Sequence, residues 1–183
     1  MNRRAACIRL GGFLSCIAIL AGCATEKIAA VSGVPETLRV PDNQVVSLAW
    51  HGAGVQIYEC QASRDDPTGF AWIFKAPDAD LSDRAGKVVG RHTAGPTWEA
   101  NDGSKVIGEI VARDSGPDAG AIPWLLLRAT STAGRGVFSK TQSIQRLHTV
   151  GGKAPATACD ATQVGKRARV PYAADYYFYV ARS

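Results

Sequence analysis

The chain has 183 residues, 46% of them hydrophobic and only 20% charged, and its 21 basic and 16 acidic side chains give a net charge of +5. Arg3, Arg4 and Arg9 crowd the first ten residues, so the chain beyond them carries +2, too little for a nucleic-acid binder that works through a basic face. Nucleic acid is therefore excluded as a partner.

In chain order, those arginines precede an uncharged run over 10–22 (LGGFLSCIAILAG). A charged start followed by a short apolar run is the pattern of an export signal, and the run falls short of the ~20 residues that a spanning helix needs. The junction Leu20-Ala21-Gly22-Cys23 fits a lipobox, in which the Cys23 thiol takes up a diacylglycerol. Ordinary secretory cleavage near the same place is the alternative. Several acyl chains hold a protein at a bilayer where one chain gives only marginal residence. Ala24 is not the aspartate that retains many such proteins in the inner membrane, so the outer membrane, facing the periplasm, is the expected address. The expected layout is a lipoprotein signal over 1–22, the lipidated cysteine and a flexible tether over 23–43, and a single β domain over 44–183.

The tether segment (ATEKIAAVSGVPETLRVPDN) is poor in aromatics and holds two prolines. Of the five cysteines, Cys7 and Cys16 fall in the leader and Cys23 is the lipid site. Cys60 and Cys159 remain, and in an oxidising compartment they are expected to pair.

Beyond residue 44, short runs rich in β-branched and aromatic residues are bounded by Gly, Pro, Asn or Asp, and none keeps helical spacing. Strands are predicted over 45–50, 55–60, 70–75, 87–92, 97–100, 105–113, 122–130, 137–147 and 172–181. In the third, Phe70, Trp72 and Phe74 alternate with Ala71, Ile73 and Lys75, so one face is core. Asn101-Asp102-Gly103-Ser104 and Ala133-Gly134-Arg135-Gly136 read as hairpin turns, and Gly52-Ala53-Gly54 also reads as a turn. The stretch 149–169 reads as a long excursion that a Cys60–Cys159 bond would pin back before the last strand. An all-β antiparallel sandwich is the preferred architecture, with a closed barrel as the alternative.

The chemical motifs searched for are absent: no nucleophile elbow, phosphate loop, Cys-x-x-Cys or zinc-helix signature occurs. His51, His92 and His148 have no metal-ligand spacing, so neither a metal nor a cofactor is expected. The densest polar segment, 90–104, holds His92, Trp98, Glu99 and Asp102, the candidate binding or catalytic residues. If Trp98 were exposed, Glu99 would be buried near His92 and could exchange protons with it. If Trp98 is core, Glu99 faces solvent and Asp102 caps the turn. The apolar run from Ile122 to Arg128 suits a strand buried on both faces, with Trp124 in the core. Tyr172, Tyr176, Tyr177, Phe178 and Tyr179 either pack a closing strand or line a cleft.

The strings VPETLRVPDNQVV, GVQIYEC, HTAGPTWEANDGSKVIG, AIPWLLL, IQRLHTVGGKAP and RVPYAADYYFY together resemble domain-of-unknown-function family 3455, found in exported bacterial and fungal proteins. The resemblance runs from Val34 to Tyr179 and implies one exported domain with a cysteine pair at Cys60 and Cys159. It supplies no catalytic residue. Three functions are open: a non-catalytic module binding a small molecule, glycan or envelope protein; an enzyme using His92 and Glu99; or a structural envelope lipoprotein.

Overall fold

The structure, a computed structural model, describes residues 28, 31–63, 66 and 68–182. The leader and the lipidation site Cys23 lie outside the described residues. Eight strands follow in order: β1 (Gln44–Ala62), β2 (Phe70–Ser82), β3 (Val88–Thr93), β4 (Thr97–Ala100), β5 (Lys105–Asp114), β6 (Trp124–Ala133), β7 (Ser143–Gly151) and β8 (Arg167–Ala181).

Each strand pairs antiparallel with the next, and β1 pairs with β8 to close the ring. The fold is thus all-β and antiparallel, and it is the closed barrel rather than the preferred sandwich. The two share the same in/out alternation, so local pattern does not separate them. Closure rests on the pairing of Gln44 with Ala181 through Glu59 with Arg167, a contact between the two ends of the domain. The ring closes through its longer strands, while residues 70–78 of β2 and 109–114 of β5 have a strand partner on one side only.

Two further expectations are corrected. Gly52-Ala53-Gly54 is not a turn but the middle of β1, which joins two predicted strands into one of 19 residues. A Cβ at Gly52 would sit 2.6 Å from Tyr176 Cε2, and one at Gly54 would sit 2.2 Å from the Asp78 carbonyl. These glycines let a ring and a neighbouring strand come close, which is what glycine inside a strand often marks. Residues 137–142, predicted as the start of a strand, form turns instead, because Phe138 leaves the wall to fill the barrel and is fully buried. The Asn101–Ser104 hairpin forms as predicted, with Gly103 at φ 83°.

Inward residues follow strict alternation on β8, where Tyr172, Ala174, Tyr176 and Phe178 join Trp50, Trp98, Phe138, Leu125, Leu127 and Ile144 in the core. A second small core lies outside the barrel, where Leu38, Trp124, Leu126 and Leu147 pack together. Its lid is residues 31–40, including a 3-10 turn over Glu36–Leu38, and Gln145 Nε2 donates to the Leu38 carbonyl at 2.7 Å. The described end of the expected flexible tether is therefore a docked strap. This strap explains why β6 is apolar on both faces: Leu125 and Leu127 face the barrel interior, Trp124 and Leu126 the strap.

A disulfide joins Cys60 to Cys159 with 6.0 Å between their Cα atoms. The loop over 152–166 is also held by Trp72 Nε1 donating to the Thr157 carbonyl at 3.1 Å and by the Asp160 cap on the 3-10 turn Ala161–Gln163. On the outer wall, Arg91 pairs with Asp78 at 2.6 Å and Asp80 at 3.1 Å, Arg169 pairs with Asp78 at 2.8 Å, and Arg128 pairs with Glu109. Such a wall suits water, since a charge facing lipid costs up to about 2–4 kcal/mol. Among the described residues no helix is long and apolar enough to cross a membrane.

Candidate functional site

The up-and-down path gives the barrel two ends. The turns after β2, β4 and β6 lie at one, and the connections after β1, β3, β5 and β7 at the other. At the first end Trp50, Phe138 and Phe178 fill the interior, with ring centroids 4.7 to 5.9 Å apart. The second end keeps a cavity of about 90 Å³ beneath the β3–β4 turn, walled by Gln56, His92, Trp98, Leu127, Arg146 and Tyr176. Phe74, Lys75 and Ile110 form its rim, and the two apolar rim residues are 49% and 38% exposed.

His92 and Trp98 face each other across the β3–β4 pair and stack, with centroids 4.5 Å apart and planes within 9°. His92 Nδ1 lies 2.9 Å from the Thr97 carbonyl. A carbonyl only accepts, so Nδ1 carries the proton. Burial holds the imidazole neutral, its pKa pushed down to about 3, which leaves Nε2 as a lone-pair acceptor. Across the barrel, Tyr172 and Tyr176 share a hydrogen bond at 3.2 Å, and burial raises both phenols well above their ordinary range.

Arg146 enters from β7. Its Nε and Nη2 donate to the Pro123 carbonyl at 3.2 and 2.7 Å, and burial lowers its pKa. The charged and titratable groups around it include Tyr176, which hydrogen-bonds to it, Tyr172, Tyr58, His92 and Arg113, and no described carboxylate pairs with it. Two wall residues are nearly inaccessible, Trp98 at 1% and Gln56 at 2% exposed, yet Trp98 Nε1 and Gln56 Nε2 have no hydrogen-bond partner. Buried donors are normally satisfied, and each orphan costs about 1–3 kcal/mol.

The sequence-predicted candidates divide. His92 and Trp98 come together in the cavity wall. Glu99 does not join them: it pairs across the strands with Arg91, projects from the opposite face, and meets Lys105 at 2.8 Å in solvent. The proposed His92–Glu99 acid–base pair is therefore not assembled, because neighbours along a strand point to opposite faces. Asp102 is a capping residue. Its Oδ1 accepts from Ser104 N and Oγ at 2.8 and 2.6 Å and its Oδ2 from Val137 N at 2.9 Å, and these bonds hold its carboxyl below the usual range, Ser104 most of all.

Sequence reasoning missed Gln56 and Arg146, which look like ordinary polar strand residues until the ring closes around them. It also missed Asp175. That carboxylate accepts from His51 Nδ1 at 2.8 Å and His148 Nδ1 at 3.0 Å, in a hollow of about 420 Å³ outside the barrel. A carboxylate only accepts, so both Nδ1 atoms donate to it. His148 is the non-glycine residue with positive φ among the described residues, at 49°, a conformation that costs energy and tends to persist where surroundings enforce it. No group of three or more His, Cys, Asp or Glu among the described residues is arranged to hold a metal.

No curated protein and no solved structure matches the chain significantly. The family of proteins of unknown function DUF3455 matches residues 41–180, from the turn before β1 to the penultimate residue of β8, and the chain belongs to that family.

Proposed function

We propose that this chain is an envelope lipoprotein, anchored in the outer membrane through lipid on Cys23, whose barrel is a non-catalytic module that binds a small molecule. One observation carries the binding reading: a cavity whose nearly inaccessible wall keeps two unpartnered donors, Trp98 Nε1 and Gln56 Nε2. A ligand supplying acceptors would remove a penalty that the empty fold bears. The separation of Glu99 from His92, and an imidazole too poor a base to take a proton near neutral pH, favour binding over acid–base chemistry at this end. The disulfide suits an oxidising compartment, and the leader pattern ahead of it suits export.

A thermal-shift screen of the full chain against small acids, amides, amines and sugars tests the binding reading. At least one class should raise the midpoint and change tryptophan emission, because Trp98 lies in the wall. If no class does either, the small-molecule reading fails. Mass measurement of the protein from its own membranes tests the anchor separately, and an unmodified Cys23 would end it.

A further inference from the structure

We infer that the ligand of the barrel cavity is a small organic carboxylate. This rests on the reading of that cavity as a small-molecule site and narrows its chemistry. The cavity lining contains two cations, Arg146 in the wall and Lys75 at the rim, and no acid. Carboxylates do lie nearby, but the fold spends them outside: Asp78 is held by Arg169 and Arg91, which together keep its carboxyl below the usual range. Arg146 donates to a backbone carbonyl and lies near phenol hydroxyls, a neutral imidazole and Arg113, with no described carboxylate paired to it.

A half-buried cation without a counter-ion carries a desolvation cost that hydrogen bonds to neutral groups only partly offset. An incoming carboxylate answers each unmet requirement. It has about four lone-pair sites, enough to accept from Arg146, Trp98 Nε1 and Gln56 Nε2 together. A neutral amide of the same shape offers one acceptor oxygen and no charge, and an ammonium would face Arg146 directly. The remainder of the ligand is short and apolar, since the cavity of about 90 Å³ is walled by Leu125, Leu127 and the Trp98 ring and opens past Phe74 and Ile110. His92 Nε2, a fixed acceptor, adds a place for a hydroxyl on that body.

Calorimetric titration of the full chain in detergent with benzoate and benzamide, which differ in charge but hardly in shape, tests this. Benzoate should bind at least about tenfold more tightly, the scale of one charged hydrogen bond. Arg146→Gln should bring benzoate down to the benzamide level, and Arg146→Lys should restore part of the preference. Trp98→Phe and Gln56→Leu should each weaken benzoate severalfold while leaving benzamide less affected. If Arg146→Gln loses its near-ultraviolet dichroism, these last two variants decide, and unchanged benzoate affinity in both overturns the inference. Equal binding of benzoate and benzamide overturns the carboxylate and leaves the small-molecule site standing. Binding of neither at millimolar concentration, after a successful screen hit with an amine or sugar, also overturns it. No binding by any class removes the site itself.

Discussion

The two ends of the barrel are built from the same strands yet solve burial differently. At the end with Trp50, Phe138 and Phe178 the aromatic rings meet edge to face or tilted, and Phe138 and Phe178 are completely inaccessible. At the other end the inward positions carry Gln56, His92, Arg146 and Tyr176, with donors unmet and a cavity between them. Buried polar atoms without partners occur at both ends, Gln44 Oε1 and Thr141 Oγ1 at the first and Gln56 Nε2 and Trp98 Nε1 at the second, but at the second they belong to the wall of a cavity inside the barrel. Such a difference within one closed sheet is what a binding site on a rigid scaffold looks like.

The contrast can be broken most forcefully at the packed end. Phe138→Ala removes a fully buried ring that contacts Trp50 and Phe178 at centroid distances of 5.1 and 4.7 Å, and should cost about 3–5 kcal/mol. Urea unfolding measures this, with benzoate affinity as the control. A loss of affinity as large as the loss of stability would show that the two ends are not independent.

At the polar end the disulfide substitutes for packing. Cys60 and Cys159 are 99 residues apart, and removing the link by Cys60→Ala with Cys159→Ala should cost about 2–5 kcal/mol, chain entropy setting the scale. The loop over 152–166 should then gain hydrogen exchange before the rest of the barrel does. Uniform loss of protection would mean that the bond holds the whole ring and not that loop.

Acid should act through the same end. His92 titrates near its ordinary value when unfolded but only at about 3 when buried. Between those values the unfolded chain binds a proton that the folded one refuses, so stability falls as pH drops through this window and is fully present above it. The slope is at most about 1.4 kcal/mol per pH unit for one proton. Asp78 and Asp102, held below their usual range, lose their contributions only at lower pH. A His92→Gln variant should flatten the dependence of the unfolding midpoint between mildly acidic and neutral pH. If wild type and variant run parallel there, His92 is not the group responsible.

What the sequence made legible was local. Alternation located β2 and β8, the glycine in Asn101–Ser104 marked its hairpin, and elimination paired Cys60 with Cys159. The Phe70, Trp72 and Phe74 face of β2, expected to be core, is not, because Phe70 and Trp72 are only half-buried and Phe74 is exposed. The docked strap was not legible, because Leu38 and its neighbours acquire partners only once β5, β6 and β7 present Ala112, Trp124 and Leu147. The glycines 52 and 54 misled for a related reason: they answer to Tyr176 and Asp78, residues far along the chain. Of the candidate site, His92 and Trp98 stood out because unusual residues cluster there. Glu99 was drawn in by proximity along the chain, although strand geometry sends adjacent side chains apart. Gln56, Arg146 and Asp175 carried no local mark at all, since a polar residue in a strand reads as outward until long-range pairing places it.

The smallest expected effect is the most telling, because its sign should differ between the ends. Truncations of the Trp50, Phe138 and Phe178 rings at the packed end only lose contacts. Gln56→Leu at the polar end replaces a side chain of similar size whose Nε2 is buried without a partner. Removing an unsatisfied donor should return part of its penalty, so the variant should be more stable by about 1 kcal/mol. The same change removes a donor offered to the ligand and should weaken benzoate. A gain in stability together with a loss of affinity identifies Gln56 as a residue kept for binding at a cost to the fold. Destabilisation by the substitution would instead mean that the amide already has a partner, leaving Trp98 Nε1 as the orphaned donor of the wall.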